Sequence, residues 1–205
     1  MPAWLNALNH SPPCASYHEA HPISRALWRR FGDDPEFRTF AGAVHLWQTD
    51  FAACAEIHRD ADALIRGAEG SPDARSLLCA VADAGAAAPT LYRGIAEPFW
   101  PWEVVSRDVE GSRIDLALVS FTSDFDRALE FAWLTQETDG GTEVVFLLRE
   151  GAHAVRIELM APDEIHWRER EWLTGGRFVV TAVEHRDDVD RVEIQLTQEG
   201  YFDVR

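Results

Sequence analysis

The sequence contains no lysine. All 19 basic residues are arginine, set against 35 acidic ones, for a formal net charge of −16. That balance weighs against a general nucleic-acid binder, which needs a broad basic surface, and leaves room for a local basic patch. Cysteine is scarce too. Cys14, Cys54 and Cys79 are too few and too scattered for a disulfide framework, and Cys54 and Cys79 fall on apolar helical faces, so both are expected in the core. Cys14, His18 and His21 have a spacing that suggests a metal, but they read as surface or core residues, since a structural zinc site needs four ligands. No metal is expected. No run of about 18 apolar residues occurs, so neither a membrane span nor a membrane partner is expected. Residues 1–14 lack a basic region followed by an apolar stretch. No signal peptide is therefore expected, and the location implied is the cytoplasm, or outside it by a route that needs none.

What is present is enough for a core: 205 residues, 46% of them hydrophobic. The order of patterns predicts an α+β fold. Helical spacing runs through Ile23–Phe31, Phe37–Trp47 (Phe40, Val44 and Trp47 on one face) and Phe51–Arg66. Ser71 and Pro72 start another helix, with Leu77, Leu78 and Val81 as its stripe. Strand-like segments then follow at 90–95, 116–122, 143–148, 154–160, 169–173, 177–183 and 191–197, rich in β-branched and aromatic residues. One helix interrupts them at about 124–134, with Ser123 as cap and Asp126 closing a capping box. The pairs Gly140-Gly141 and Gly175-Gly176 read as turns. The Phe99-Trp100-Pro101-Trp102 stretch either covers a cleft or seals the core, and the core is the favoured reading. With no repeat or linker, one domain over 1–205 is expected, helical over 1–86 and strand-rich over 87–205.

Three short segments carry chemistry. In Leu91-Tyr92-Arg93-Gly94-Ile95 an arginine interrupts an apolar strand. It either pairs with a buried carboxylate or grips a phosphate through paired hydrogen bonds, and Gly94 allows close approach to the backbone. In Val119-Ser120-Phe121-Thr122-Ser123-Asp124, Ser120 and Thr122 share one face of a strand, where two hydroxyls orient a carboxylate and a ribose or simply end the strand. In Glu169-Arg170-Glu171-Trp172-Leu173, two acids two apart share a face and raise one another's pKa values. That arrangement suits a site that handles positive charge, or an exposed edge strand where it costs little.

The order of these segments, over roughly 90–183, resembles the Arg-Ser-Glu class of ADP-ribosyltransferases, which includes the clostridial-type toxins and the arginine-specific transferases. Ser120-Phe121-Thr122 stands where that family usually has Ser-Thr-Ser. The resemblance implies an ADP-ribosyltransferase-like fold: N-terminal helices, then two packed, mainly antiparallel sheets around an NAD cleft. It implies NAD⁺ as substrate and nicotinamide as leaving group. Glu171 becomes the catalytic carboxylate that stabilises positive charge developing on the ribose. Ser120 holds Glu171, Arg93 grips the diphosphate or adjoining ribose, and Gly94, Phe121, Thr122 and Phe131 complete the NAD site. Phe121, Phe125 and Phe131 all remain candidates to stack near the nicotinamide. Glu169 is associated with arginine as acceptor, so a protein is the expected macromolecular acceptor and nucleic acid the less favoured one. The preceding loop, 162–168, becomes the acceptor-recognition turn, with Trp167 either contacting the acceptor or packing in the core. The alternatives are NAD⁺ hydrolysis, and a catalytically inactive binding module on the same fold. The missing lysine then has two readings as well: GC-rich coding bias, or a delivered toxin or effector that avoids lysine-directed degradation. The sequence names no antitoxin or delivery partner.

Overall fold

The chain builds its helices first. In the computed structural model, which describes residues 1–85, 88–96, 110–139, 141–189 and 191–205, these are α1 (Ala3–Asn9), α2 (Tyr17–Phe31), α3 (Pro35–Thr49), α4 (Phe51–Ile65) and α5 (Pro72–Asp83). Their starts are written locally. The side chains of Ser16, Asp34, Asp50 and Ser71 each accept a hydrogen bond from a backbone N–H in the first turn, and Pro35 and Pro72 stand at the first helical position, where no N–H is needed. The Phe99–Trp102 stretch lies outside the described residues.

Strands follow: β1 (Leu91–Ala96), β2 (Arg113–Thr122), β3 (Glu143–Leu148), β4 (Ala154–Arg156), β5 (Glu171–Arg186) and β6 (Arg191–Gly200). Helix α6 (Phe125–Asp139) comes between β2 and β3, and the short α7 (Glu164–Trp167) between β4 and β5. Where a strand was expected to run on to Met160, Glu158–Met160 forms a 3₁₀ turn. The helix cap also moves by one residue: Asp124, not Ser123, accepts from the backbone N–H groups of Asp126 and Arg127.

The expected pair of packed sheets is replaced by one sheet that closes on itself. The order is β2-β1-β3-β6-β5-β4, and β2 also pairs with β5, so five strands form a ring with β4 on the outside. Pairing is antiparallel except between β3 and β6. The physical reason lies at Gly175-Gly176, which is not a turn but the middle of β5. A Cβ on Gly175 would sit 2.0 Å from Ala117 O of β2, and one on Gly176 (φ +139°) 2.1 Å from Gly200 O of β6. Two adjacent glycines let one long strand bend while neighbours press on both edges. Two strands expected on either side of a turn therefore merge into one.

The core has two clusters. The helices pack on the first, which takes Ala117, Leu118, Val155, Ile157 and Leu173 from the strand half. Apolar faces of the ring strands meet in the second, through Leu91, Phe121, Phe146, Phe178 and Ile194 among others. Cys14 belongs to the first cluster and is buried, whereas Cys54 and Cys79, expected there, are half-buried. Gly94 is where α6 meets β1: a Cβ there would lie 1.7 Å from Ala128 O. The close approach that this glycine permits is by the protein's own helix.

Candidate active site

A cleft of about 360 Å³ opens where β1, β2, α6 and the start of β5 meet. Arg93, Gly94, Ser120, Phe121, Thr122, Phe131, Glu169 and Glu171 line it, together with Tyr92 and Ile95. The volume is within the range of small-molecule sites. Residues separated by some 80 positions are brought together because Thr122 pairs with both Tyr92 of β1 and Glu171 of β5.

Glu171 is the first residue of β5 and is 8% exposed. Its carboxylate has three donors. Ser120 Oγ–H donates a short hydrogen bond to Oε1. Trp47 Nε1–H, from α3, lies 3.0 Å from the same oxygen and 2.8 Å from Ser120 Oγ. Gln48 Nε2–H donates to Oε2 at 3.0 Å. Arg93 stands alongside and donates from NH1 to Ser120 O at 2.7 Å. Burial lowers the Arg93 pKa from its usual value, and the Glu171 carboxylate opposes that shift.

Glu169 is placed differently. It precedes the strand, in the turn after α7, so the two acids do not share a strand face as expected, although both line the cleft. Between them Arg170 has φ 51°, a left-handed conformation that is costly for a residue with a side chain. Three contacts hold it there. The Arg170 guanidinium lies 3.9 Å from the Trp167 ring centre, donates to Cys14 O at 2.6 Å, and lies 3.9 Å from Glu158 Oε2. Glu158 itself pairs with Arg156, and both are buried. Burial first, and then the neighbouring Glu171, hold the Glu169 carboxyl above its ordinary value.

The structure bears on two choices that the sequence leaves open. Trp167 is 5% exposed and packs beneath Arg170 and against Tyr17, so it is not offered to an acceptor; Ile165, on the same turn, is 70% exposed. Among the three candidate stacking rings, Phe121 is buried in the strand cluster, and Phe125 packs edge-on to Tyr92 and does not itself line the cleft. Phe131 is left as the half-buried ring on the cleft wall, with the Arg127 guanidinium 4.7 Å from its centre.

Trp47, Gln48 and Tyr92 were not singled out from sequence. Trp47 read as core because it lies on the apolar stripe of α3, and it is indeed buried. The available signal was its indole N–H, which needs an acceptor once buried. Cys54 and His58 of α4 lie beside the site but do not form an activated thiol–imidazole pair. Burial, and then Glu171, push the Cys54 thiol up to about 11, the opposite of what nucleophilic activation requires.

No protein-family model matches the sequence, and no curated protein matches it. Solved structures do match the fold. Vis, an ADP-ribosyltransferase toxin from Vibrio splendidus, solved in complex with agmatine, aligns over 98% of this chain and 93% of its own, with TM-score 0.55 and 14% identity. An ADP-ribosyltransferase from Clostridium botulinum aligns over 91% of this chain and 98% of its own, with TM-score 0.55 and 12% identity. Exoenzyme S from Pseudomonas aeruginosa, solved with human 14-3-3 protein beta and carba-NAD, aligns over 96% and 88%, with TM-score 0.57 and 14% identity. The chain has the α+β fold of these bacterial ADP-ribosyltransferases.

Proposed function

We propose that this chain cleaves NAD⁺ at the nicotinamide–ribose bond and transfers the ADP-ribose to an arginine of a protein, as a toxin or effector does. The observation that carries the reading is the Glu171 carboxylate. It lines the cleft, its oxygens are fixed by Ser120, Trp47 and Gln48, and a partly buried arginine, Arg93, stands alongside.

Each residue has a chemical task on this reading. Breaking the glycosidic bond leaves positive charge on the ribose. A carboxylate already fixed in place stabilises that charge without reorganising as it forms, and this is the task of Glu171. Arg93 grips the diphosphate or the adjoining ribose. Ser120 orients Glu171, Thr122 offers a hydroxyl to the ribose, and Phe131 supplies a ring face to the cationic nicotinamide. Gly94 and Phe121 shape the site from behind, as helix contact and core. Glu169, with its raised pKa, takes the proton that the acceptor guanidinium loses as its nitrogen bonds to the ribose carbon. Agmatine, the ligand of Vis, bears that same guanidinium group, and carba-NAD on Exoenzyme S is an NAD analogue; both favour the reading.

The test is incubation with NAD⁺ alone, then with labelled NAD⁺ and cell extract. Label in protein, located on arginine by mass spectrometry, is the expected result. Fast nicotinamide release with no labelled product would make NAD⁺ hydrolysis the activity instead. No NAD⁺ consumption in either arm would leave a binding module.

A further inference from the structure

We propose that Trp47 and Gln48, in the last turn of α3, are positioning residues that fix the Glu171 carboxylate and set the direction of the Ser120 hydroxyl. The inference rests on reading the cleft as a site of NAD⁺ cleavage.

An indole N–H only donates, whereas a serine hydroxyl both donates and accepts and rotates to suit. The Trp47 N–H is shared between Ser120 Oγ at 2.8 Å and Glu171 Oε1 at 3.0 Å. Ser120 Oγ therefore accepts from Trp47 and spends its own proton on Glu171 Oε1. The hydroxyl has one direction, and the chain of donors runs Trp47 to Ser120 to Glu171. Gln48 closes the other side. Its amide nitrogen donates to Glu171 Oε2 at 3.0 Å and reaches Ile157 O at 3.5 Å. The opposite amide orientation would set a carbonyl oxygen against a carboxylate oxygen, so the donor side is fixed. Trp47 is itself held from behind by the His58 ring, 4.4 Å away between centres, and burial keeps His58 below its ordinary pKa, as a neutral stacking partner.

The two oxygens of Glu171 are consequently unequal. Oε1 carries two donors and is the anchor. Oε2 carries one and keeps the acceptor capacity for a donating substrate hydroxyl. The helical N-terminal part thus reaches the reacting carboxylate through two side chains, in addition to packing against the sheet.

The first test needs no substrate. Trp47→Phe identifies the Trp47 indole N–H among the eight tryptophan signals by NMR. That signal is expected to move in both Ser120→Ala and Glu171→Gln. If it stays unmoved in both, the inference is overturned. The second test is kinetic. Trp47→Phe and Gln48→Met are each expected to cut kcat for nicotinamide release roughly tenfold, the size of one hydrogen bond, with KM for NAD⁺ little changed and, for Gln48→Met, the unfolding midpoint little changed as well. In a Ser120→Ala background Trp47→Phe is expected to cost only about threefold, because part of its action passes through Ser120. Losses that simply multiply, or that appear only as lower stability, overturn the proposal. The two readings fail separately. Coupled indole signals without NAD⁺ turnover remove the proposed activity and leave the clamp. Turnover abolished by Glu171→Gln but indifferent to Trp47→Phe and Gln48→Met removes the clamp alone.

Discussion

Glu169 and Glu171 are two residues apart, line the same cleft, and are held in opposite ways. Glu171 begins a strand and has donors on both oxygens. Glu169 sits on the turn before it, more exposed, and no hydrogen bond to its carboxylate is found among the described residues; burial and its neighbour raise its pKa. A carboxylate that stabilises charge gains from being fixed before the reaction. One that takes a proton gains from a raised pKa and room to meet its acceptor. The left-handed Arg170 between them makes the difference possible, since it breaks the extended backbone just before Glu171 and leaves Glu169 on the turn.

The largest effect is expected from loosening the anchor of that turn. Glu158 is 2% exposed and pairs with the buried Arg156, whose NH1 also donates to Ser11 O at 2.7 Å. Glu158→Ala leaves Arg156 buried without its carboxylate and takes from Arg170 one of its contacts. A loss of about 3–5 kcal/mol is expected, a large part of a typical domain's stability, read from urea unfolding. A loss below about 1 kcal/mol would mean that the turn is held by Trp167 and Cys14 alone.

Glu171→Gln comes next. It keeps shape and removes charge, so nicotinamide release is expected to fall by about 100-fold or more, with the fold intact by circular dichroism. Glu169→Gln is expected to separate the two acids. Labelled transfer to agmatine should fall about tenfold or more, as for loss of a general base, while nicotinamide release stays within about threefold of the parent. The pH dependence gives the sign. Transfer by the parent should rise with pH through a value above the ordinary carboxylate range, as Glu169 ionises, and the variant should lack that limb. Equal losses in both assays would erase the distinction between the acids.

Much of this was legible in the sequence, and the failures share a cause. Helix starts at Phe51 and at Ser71-Pro72 and the strand 143–148 are local matters of periodicity, capping and alternation, and they fall where the pattern places them. The eight candidate residues Arg93, Gly94, Ser120, Phe121, Thr122, Phe131, Glu169 and Glu171 line one cleft, together with Tyr92 and Ile95. Sheet closure was not legible, because Gly175-Gly176 looks like a turn until the edges of β2 and β6 press on it. Nor was the place of Trp167, since nothing local says that Arg170 will lie on its ring. Trp47 was hidden for the same reason: an apolar stripe reports which face is buried, not what its one N–H meets.

The smallest expected effect tests the cost of the arrangement. Burial first, then Glu171, raise the folded-state pKa of Glu169 above its unfolded value. Its contribution to stability is therefore fully present below the ordinary carboxylate range and lost as pH rises through the raised value. Above that raised value the parent carries a partly buried charge on Glu169 beside Glu171, a repulsion that Glu169→Gln removes. The variant is expected to melt about 1 °C above the parent at pH 7, and the advantage should vanish as pH falls past the ordinary carboxylate range. A variant less stable than the parent at pH 7 would mean that Glu169 is held by attraction, and the base would have to be sought elsewhere. The expected sign would instead make Glu169 a residue kept at a cost to the fold, as befits a group retained for its chemistry, whereas Glu171, with its three donors, is braced by the structure around it.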